Sequence, residues 1–119
     1  MSITATTDGT TFNVTMRRGD TLPVWTFTVT ESGSPVDLTG ATIIAGWKRR
    51  GLNGTIELSK SLGDGIEITD AANGIYTIGD FDMDVAEGGT FDFEIEIELA
   101  DGERNTDVSG VWTLTQDVV

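Results

Sequence analysis

A chain of 119 residues is long enough for one domain with a substantial core, and it contains neither cysteine nor histidine. These two absences exclude disulfides, thiol nucleophiles, imidazole bases and the usual zinc ligands. A net charge of −13, from 20 acidic and 7 basic residues, makes the surface repel nucleic acid. No apolar run approaches the roughly 20 residues of a membrane span, and we see no signal peptide.

The first 11 residues are polar, rich in threonine and without a hydrophobic period. We therefore predict a flexible N-terminal arm over residues 1–11 and a single β-sandwich domain over residues 12–119. Because a flexible segment can become ordered on a neighbouring protein, Ser2, Ile3 and Thr4 are candidate interface residues. The alternative is a frayed terminus without a binding role.

Short segments of alternating apolar and polar residues, separated by turn residues, follow the arm. This pattern predicts strands, because successive side chains of a strand point to opposite faces. The predicted strands cover residues 12–17, 24–30, 41–49, 55–60, 66–69, 75–78, 90–99, 104–108 and 111–115. The segment from Phe81 to Gly89 is predicted to hold one helical turn, placed as a crossover between two sheets. Turns of this kind and spacing indicate an all-β sandwich or barrel.

The longest alternation, Thr90 to Leu99, has an apolar wall and an acidic wall. The acidic residues are Asp92, Glu94, Glu96 and Glu98. The apolar wall needs a second apolar surface to cover it, so we predict an all-β sandwich of about seven or eight strands with at most one short helical turn. Its predicted core contains Phe91, Phe93, Ile95, Ile97, Trp47, Trp25, Phe27 and Leu114. In the bend before the third long strand, Leu38 is predicted to be buried, and Asp37 and Thr39 to bond nearby backbone amides.

The four carboxylates at alternate positions of one strand repel one another, so their face either is solvated or meets cations. The basic residues that can reach it are Arg17, Arg18, Lys48, Arg49, Arg50 and Arg104. These residues either form salt bridges with the acidic strand or offer basic spots to an acidic partner. Conversely, the acidic wall is a candidate interface for a basic partner, and a merely solvated face is the alternative.

Nucleophilic catalysis needs a nucleophile beside a base, and we expect no enzyme, no catalytic residue and no cofactor in this chain. Asp80, Asp82 and Asp84 have the opening spacing of a calcium loop. Val85 and Phe91 stand where that loop needs glycine and glutamate, which excludes an EF-hand. We assign no metal ligand, although an irregular calcium site near these aspartates stays open.

Several turns occur in an order that is familiar from one family. They are Gly19-Asp20-Thr21, the string PVDLTGAT at residues 35–42, residues 70–74, Gly89-Thr90-Phe91, residues 100–103 and Ser109-Gly110. Over residues 18–118 the chain resembles small virion proteins of tailed bacteriophages and the N-terminal domain of phage baseplate upper proteins, with PVDLTGAT as the most specific part. The resemblance implies an immunoglobulin-like β-sandwich that holds one part of the virion to another, and it carries over no catalytic residue.

The resemblance also implies a function and partners. We expect a non-enzymatic virion structural protein, made in the host bacterial cytoplasm, that serves as an adaptor at the tail, neck or baseplate. Its partners are expected to be other virion proteins in a symmetric multicopy assembly, without nucleic acid or membrane. Baseplate upper proteins continue into a distal portion, whereas this chain ends at Val119, so we expect a stand-alone adaptor or a decoration.

Two alternatives remain for this function. One is a capsid decoration or cement protein, which differs from a tail adaptor in its copy number. The other is a carbohydrate-binding module that aids host adsorption through exposed rings of Trp25, Trp47 and Trp112. Each tryptophan lies in an alternating strand with apolar neighbours, so we expect all three in the core.

Overall fold

The computed structural model of the protein describes residues 4–51, 54–85 and 87–115. The strands are β1 (Thr4–Thr7), β2 (Thr10–Thr11), β3 (Val14–Arg17), β4 (Thr21–Leu22), β5 (Trp25–Glu31), β6 (Ser34–Pro35), β7 (Thr42–Arg49), β8 (Ile56–Leu62), β9 (Gly65–Asp70), β10 (Ile75–Ile78), β11 (Phe81–Asp82), β12 (Gly89–Glu98) and β13 (Arg104–Thr115). A 3₁₀ turn spans Ala71–Asn73. Within these ranges there is no α-helix, and no helix is long and apolar enough to cross a membrane.

Most of these strands form one nearly closed, barrel-shaped sheet. Nine lie side by side in the order β1-β5-β10-β9-β8-β7-β12-β13-β2, with β3 also beside β13 and β6 beside β5. The sheet is mixed, because the pairs β1–β5, β8–β9, β2–β13 and β3–β13 are parallel and the other pairs in the sheet are antiparallel. The two remaining strands, β4 and β11, pair with each other.

The predicted immunoglobulin-like β-sandwich is wrong, because these strands form one continuous sheet and not two separate layers. The alternating pattern determines which side of each strand is buried, but it does not determine whether two halves of a sheet join at their edges. Here they join at the corner between β8 and β9, where Ser61 pairs with Gly65. Gly63 and Gly65 have φ angles of 82° and 88°, a conformation that glycine adopts without a steric penalty. The chain can therefore turn the corner while the pairing continues.

The N-terminal segment closes the opposite side of the barrel. β1 runs parallel to β5, and after a turn at Asp8-Gly9 the next strands, β2 and β3, run parallel to β13. Residues 4–7 and 10–11, which belong to the predicted flexible arm, are thus in strands, and Ser2 and Ile3 lie outside the described residues. The predicted boundary between arm and domain, after residue 11, lies between β2 and β3, which both pair with β13.

Close packing between the N-terminal segment and β13 requires a glycine. The amide of Phe12 donates to the carbonyl of Ser109 over 2.8 Å, so the two backbones cross closely at this point. A Cβ atom at Gly110 would collide with the carbonyl oxygen of Phe12. Ser109-Gly110, predicted to interrupt the strand, therefore lies inside the continuous β13 and admits the crossing segment.

The segment predicted to hold a helical turn is also different in the structure. Its described residues begin with β11, which pairs with β4, and contain no helical turn. The amide of Met83 donates to the carbonyl of Asp20, and the amide of Gly19 donates to the carbonyl of Met83, each over 2.9 Å. These two bonds hold the segment against the residues before β4. The bonds inside it, from Asp84 to Asp82 and from Val85 to Met83, span only two residues, which is too short for a helical turn.

The predicted core is confirmed. Phe91, Phe93, Ile95, Ile97, Trp47, Trp25, Phe27 and Leu114 are all buried. The rings of Trp25, Phe27, Trp47, Phe93 and Trp112 form a continuous cluster, in which the centroid of Phe93 lies 4.7 Å from Trp47 and 5.0 Å from Trp112. In the described part of the chain, the inside of the barrel is therefore filled by side chains.

The bend at residues 35–42 follows the prediction for Leu38 and Asp37, whereas the Thr39 hydroxyl bonds a side chain and not a backbone amide. Leu38 is fully buried, and its amide donates to the carbonyl of Ala71 over 2.8 Å. Asp37 Oδ1 accepts the amide of Thr39 at 3.0 Å and the Thr39 hydroxyl at 2.7 Å. These bonds fix the string PVDLTGAT as an ordered bend that connects β6 to β7.

Candidate functional site

The acidic wall of β12 lies on the outer face of the barrel. Side chains of β12 alternate between the core and the outside, with Asp92 and Glu94 exposed and Glu96 and Glu98 half-buried. The neighbouring strands β7 and β13 flank β12 on both sides, in antiparallel register. The outer face formed by β8, β7, β12 and β13 is therefore the place where the chain's longest row of carboxylates meets solvent.

Both ends of the acidic wall have cationic neighbours. Asp92 pairs in register with Lys48, and its Oδ1 accepts a hydrogen bond from Arg50 Nη2 at 2.5 Å. At the other end, Glu98 Oε2 lies 3.4 Å from Arg104 Nε. The side chains in these two ion pairs are 41–67% exposed, so each pair contributes at most about 1 kcal/mol.

The centre of the acidic wall has no such neighbour. In the antiparallel register, the cross-strand neighbours are Gly46 and Ser109 for Glu94, and Ile44 and Thr106 for Glu96. None of these four residues is charged. Cations of the described chain thus meet the two ends of the wall, and its two central carboxylates face uncharged residues across the sheet.

A shallow groove lies over this uncharged part of the sheet. It has a volume of about 670 Å³, and its lining includes Ile44, Gly46, Ile56, Glu94 and Glu96, with Lys48 and Asp92 at one end. Ile44 and Ile56 are 55% and 62% exposed, which is unusual for large apolar side chains. We call this feature the Gly46 groove, because the missing side chain at Gly46 leaves its middle open.

Arg49 and Arg18 have structural partners instead of an open surface. The Arg49 guanidinium pairs with Glu57 and lies 4.6 Å above the Phe91 ring, and its hydrogen bond lowers the pKa of Glu57. Arg49 Nη1 also donates to the carbonyl of Gly88 at 3.0 Å. Arg18 Nε donates to the carbonyl of Val85 at 2.8 Å. These two arginines therefore hold the segment before β12 against the barrel.

The other predicted interface residues are dispersed. Thr4 begins β1 opposite Thr26, and Arg17 lies exposed at the end of β3 opposite Thr115. Lys48 and Arg50 adjoin the acidic wall at Asp92, as described above. The structure therefore brings Lys48 and Arg50 to the carboxylates, and it uses Arg18 and Arg49 elsewhere.

The aspartates considered as calcium ligands do not form a metal site. Within the described ranges, no group of three or more acidic side chains is arranged to hold a metal ion. Asp82 Oδ1 instead accepts the Thr21 hydroxyl at 2.7 Å, which links β11 to β4. The bond between Thr21 and Asp82 therefore has a structural role, because it reinforces the two-residue pairing of β4 with β11.

No family model matches this chain, and a search of curated proteins finds no match either. The assignment of function therefore depends on the chain's own residues and their geometry.

One buried polar cluster was not predicted from the sequence. Asp107 on β13 is 3% exposed, and its Oδ2 accepts the Thr7 hydroxyl at 2.6 Å and the Tyr76 hydroxyl at 2.8 Å. The side chain is turned inward by a β-bulge, because Val108 pairs with Ile95 while Thr106 pairs with the next residue of β12. The sequence carried no sign of this bulge.

The environment of this cluster shifts the pKa of two of its members. Burial raises the pKa of Asp107, and the hydrogen bonds from Thr7 and Tyr76 oppose that rise. Burial also raises the pKa of Tyr76, and the charge of Asp107 adds to the effect. Because both hydroxyls bind the carboxylate inside the fold, the cluster joins strands β1, β10 and β13 and offers no reactive group to a substrate.

Removing the Thr7 hydroxyl should destabilise the barrel. Thr7→Val keeps the shape of the side chain but takes one donor from a buried carboxylate, so we expect the free energy of unfolding to fall by about 1.5–3 kcal/mol. Thr6→Val, on the exposed side of the same strand, is the matched control and should change it by less than about 0.5 kcal/mol. Urea denaturation of both variants gives the comparison, and equal effects would contradict the role of Thr7.

The raised pKa of Asp107 has a defined consequence for stability. Between the ordinary aspartate pKa and the raised one, the folded state binds more protons than the unfolded state. The contribution of Asp107 to stability is therefore fully present below this window and falls as pH rises through it. We expect the stability of the wild type relative to Asp107→Asn to decrease with rising pH and then to level off.

Urea denaturation of both proteins from pH 3.5 to pH 8 measures this difference. Glu94→Gln, which removes one negative charge from the exposed face, serves as the control for general charge effects. A relative stability of wild type that rises with pH would contradict the assigned direction.

Proposed function

We propose that this chain is a non-enzymatic structural protein of a tailed-bacteriophage particle, an adaptor that joins a neighbouring protein at the tail, neck or baseplate. The resemblance in the order of turns, and above all the string at residues 35–42, supports the virion origin. The Gly46 groove carries the adaptor role, since it combines exposed apolar side chains with a charged rim. Surfaces of that composition are typical of protein contacts.

The construction of the barrel suits an adaptor. Its interior is occupied by the aromatic cluster around Phe93, so the surface is where a partner can be bound. The strand neighbours of the groove belong to the longest paired strands, β12 and β13. A binding face on such strands keeps its shape when a partner binds, which limits the entropy lost on association.

The tryptophans do not support a sugar-binding module. Trp25, Trp47 and Trp112 are at most 4% exposed, and their rings contact one another inside the barrel. A ring must be exposed on one face to stack on a sugar, and these three are not. The adaptor and the capsid decoration protein both need only a protein-binding surface, and copy number separates them.

Quantitative mass spectrometry of purified phage particles whose genome encodes this chain tests the proposal. We expect the protein to be a component of the particle, with a copy number that matches a ring of the tail, neck or baseplate. A copy number that matches the major capsid protein would instead indicate capsid decoration. Absence of the protein from particles, while it is present in the infected cells, would contradict a virion role.

A further inference from the structure

The Gly46 groove contains a glycine that no contact in the described part of the chain requires. A Cβ atom built at Gly46 would reach only Ile56 Cγ2, at 3.9 Å, which is an ordinary van der Waals distance. Gly110 is different, because a Cβ atom there would collide with the backbone of Phe12. Glycine weakens the interior of a strand, and where the fold itself does not need it, it often marks the close approach of another backbone.

The floor of the groove is apolar and exposed. Ile44 and Ile56 lie beside Gly46 and are more than half exposed, at 55% and 62%. Apolar side chains that stay exposed next to one another on a sheet face are suited to a partner that covers them. The aliphatic stems of lysine and arginine can do so while their charged ends reach outward.

The rim of the groove is acidic at its centre, and the cation that lines it, Lys48, lies at its Asp92 end. Glu94 and Glu96 have only uncharged cross-strand neighbours, whereas Asp92 and Glu98 have Arg50 and Arg104. The two central carboxylates are two residues apart on one strand, which places them about 7 Å from each other. An extended segment that has basic residues at every second position has the same spacing.

We propose that the Gly46 groove binds an extended basic segment of another virion protein. Its backbone passes over Gly46, its lysine or arginine stems cover Ile44 and Ile56, and its charged ends pair with Glu94 and Glu96. A basic segment is favoured over a second copy of this chain, because two chains of net charge −13 repel each other. This inference rests on the proposed function, and it names the chemistry of the partner that the adaptor face takes.

A synthetic peptide tests this inference without knowledge of the natural partner. The probe is a fluorescein-labelled peptide with lysine at four alternate positions and threonine between them, and its control has glutamate in place of lysine. Fluorescence anisotropy with the full chain measures binding of both peptides at low and at physiological salt. We expect binding of the lysine peptide only, weakened by salt because charge pairs contribute to it.

Two variants separate the groove from the general charge of the protein. Glu94→Gln with Glu96→Gln removes the central carboxylates, and Gly46→Val fills the groove without a change of charge. Each should weaken binding of the lysine peptide by about tenfold. The control is Glu31→Gln with Glu67→Gln, which removes two exposed carboxylates outside the groove and should change binding by less than about twofold.

Each outcome of this experiment decides the proposal. If Gly46→Val and the Glu94/Glu96 variant bind the lysine peptide as tightly as the wild type does, the attraction is nonspecific and the proposal is wrong. If Gly46→Val does not fold, Gly46→Ala gives the same comparison with a smaller side chain. Sedimentation of the wild type as a dimer that Gly46→Val dissociates would identify a second copy as the occupant and overturn the proposal.

The result is independent of the location of the protein. If the protein is absent from particles but binds the lysine peptide through the groove, the virion assignment is wrong and the basic partner is supported. If the protein is present in particles but shows no groove-dependent binding, the virion assignment is supported and the basic partner is wrong.

Discussion

The closure of the barrel depends on one buried carboxylate. Asp107 on β13 accepts hydroxyl hydrogen bonds from Thr7 on β1 and from Tyr76 on β10, so a single group connects three strands. Burying a carboxylate costs free energy unless it is hydrogen-bonded. Loss of either hydroxyl would therefore lower the free energy of unfolding. The interaction therefore holds the N-terminal strand to the far end of the sheet, where backbone pairing between β1 and β13 is absent.

This closure determines where a partner can be bound. With the N-terminal segment in place, Phe12 stacks on Phe27 with ring centroids 5.7 Å apart, and the inside of the barrel is filled. The glycines within β7 and β13 then have different origins, since the backbone of Phe12 requires Gly110 and no contact within the described chain requires Gly46. Because the inside of the barrel is filled, recognition falls to its outer face, where the Gly46 groove lies.

The sequence was sufficient for the longer strands and the core but not for the short strands or the architecture. Alternation in residues 90–99 correctly predicted the acidic strand, and Leu38 and Asp37 lie as the turn chemistry indicated. Alternation is a property of single strands, so it cannot distinguish a sandwich from a barrel whose edges meet. The bulge at Asp107 shifts the parity of β13 by one residue, and no local pattern reveals such a shift. The groove was missed for a similar reason, because Gly46 and Glu94 become neighbours only through strand pairing.

Native-state amide hydrogen exchange measures most directly whether the N-terminal strand belongs to the closed barrel. Amides of residues 4–7 that bond to β5 should exchange with nearly the free energy of global unfolding, as the amides of β12 do. When Asp107 is replaced, the amides of residues 4–7 should lose much of their protection. The amides of β12 should still exchange with the free energy of global unfolding of that variant. Exchange of residues 4–7 at the rate of an unstructured segment in the wild type, with β12 protected, would contradict closure by this strand.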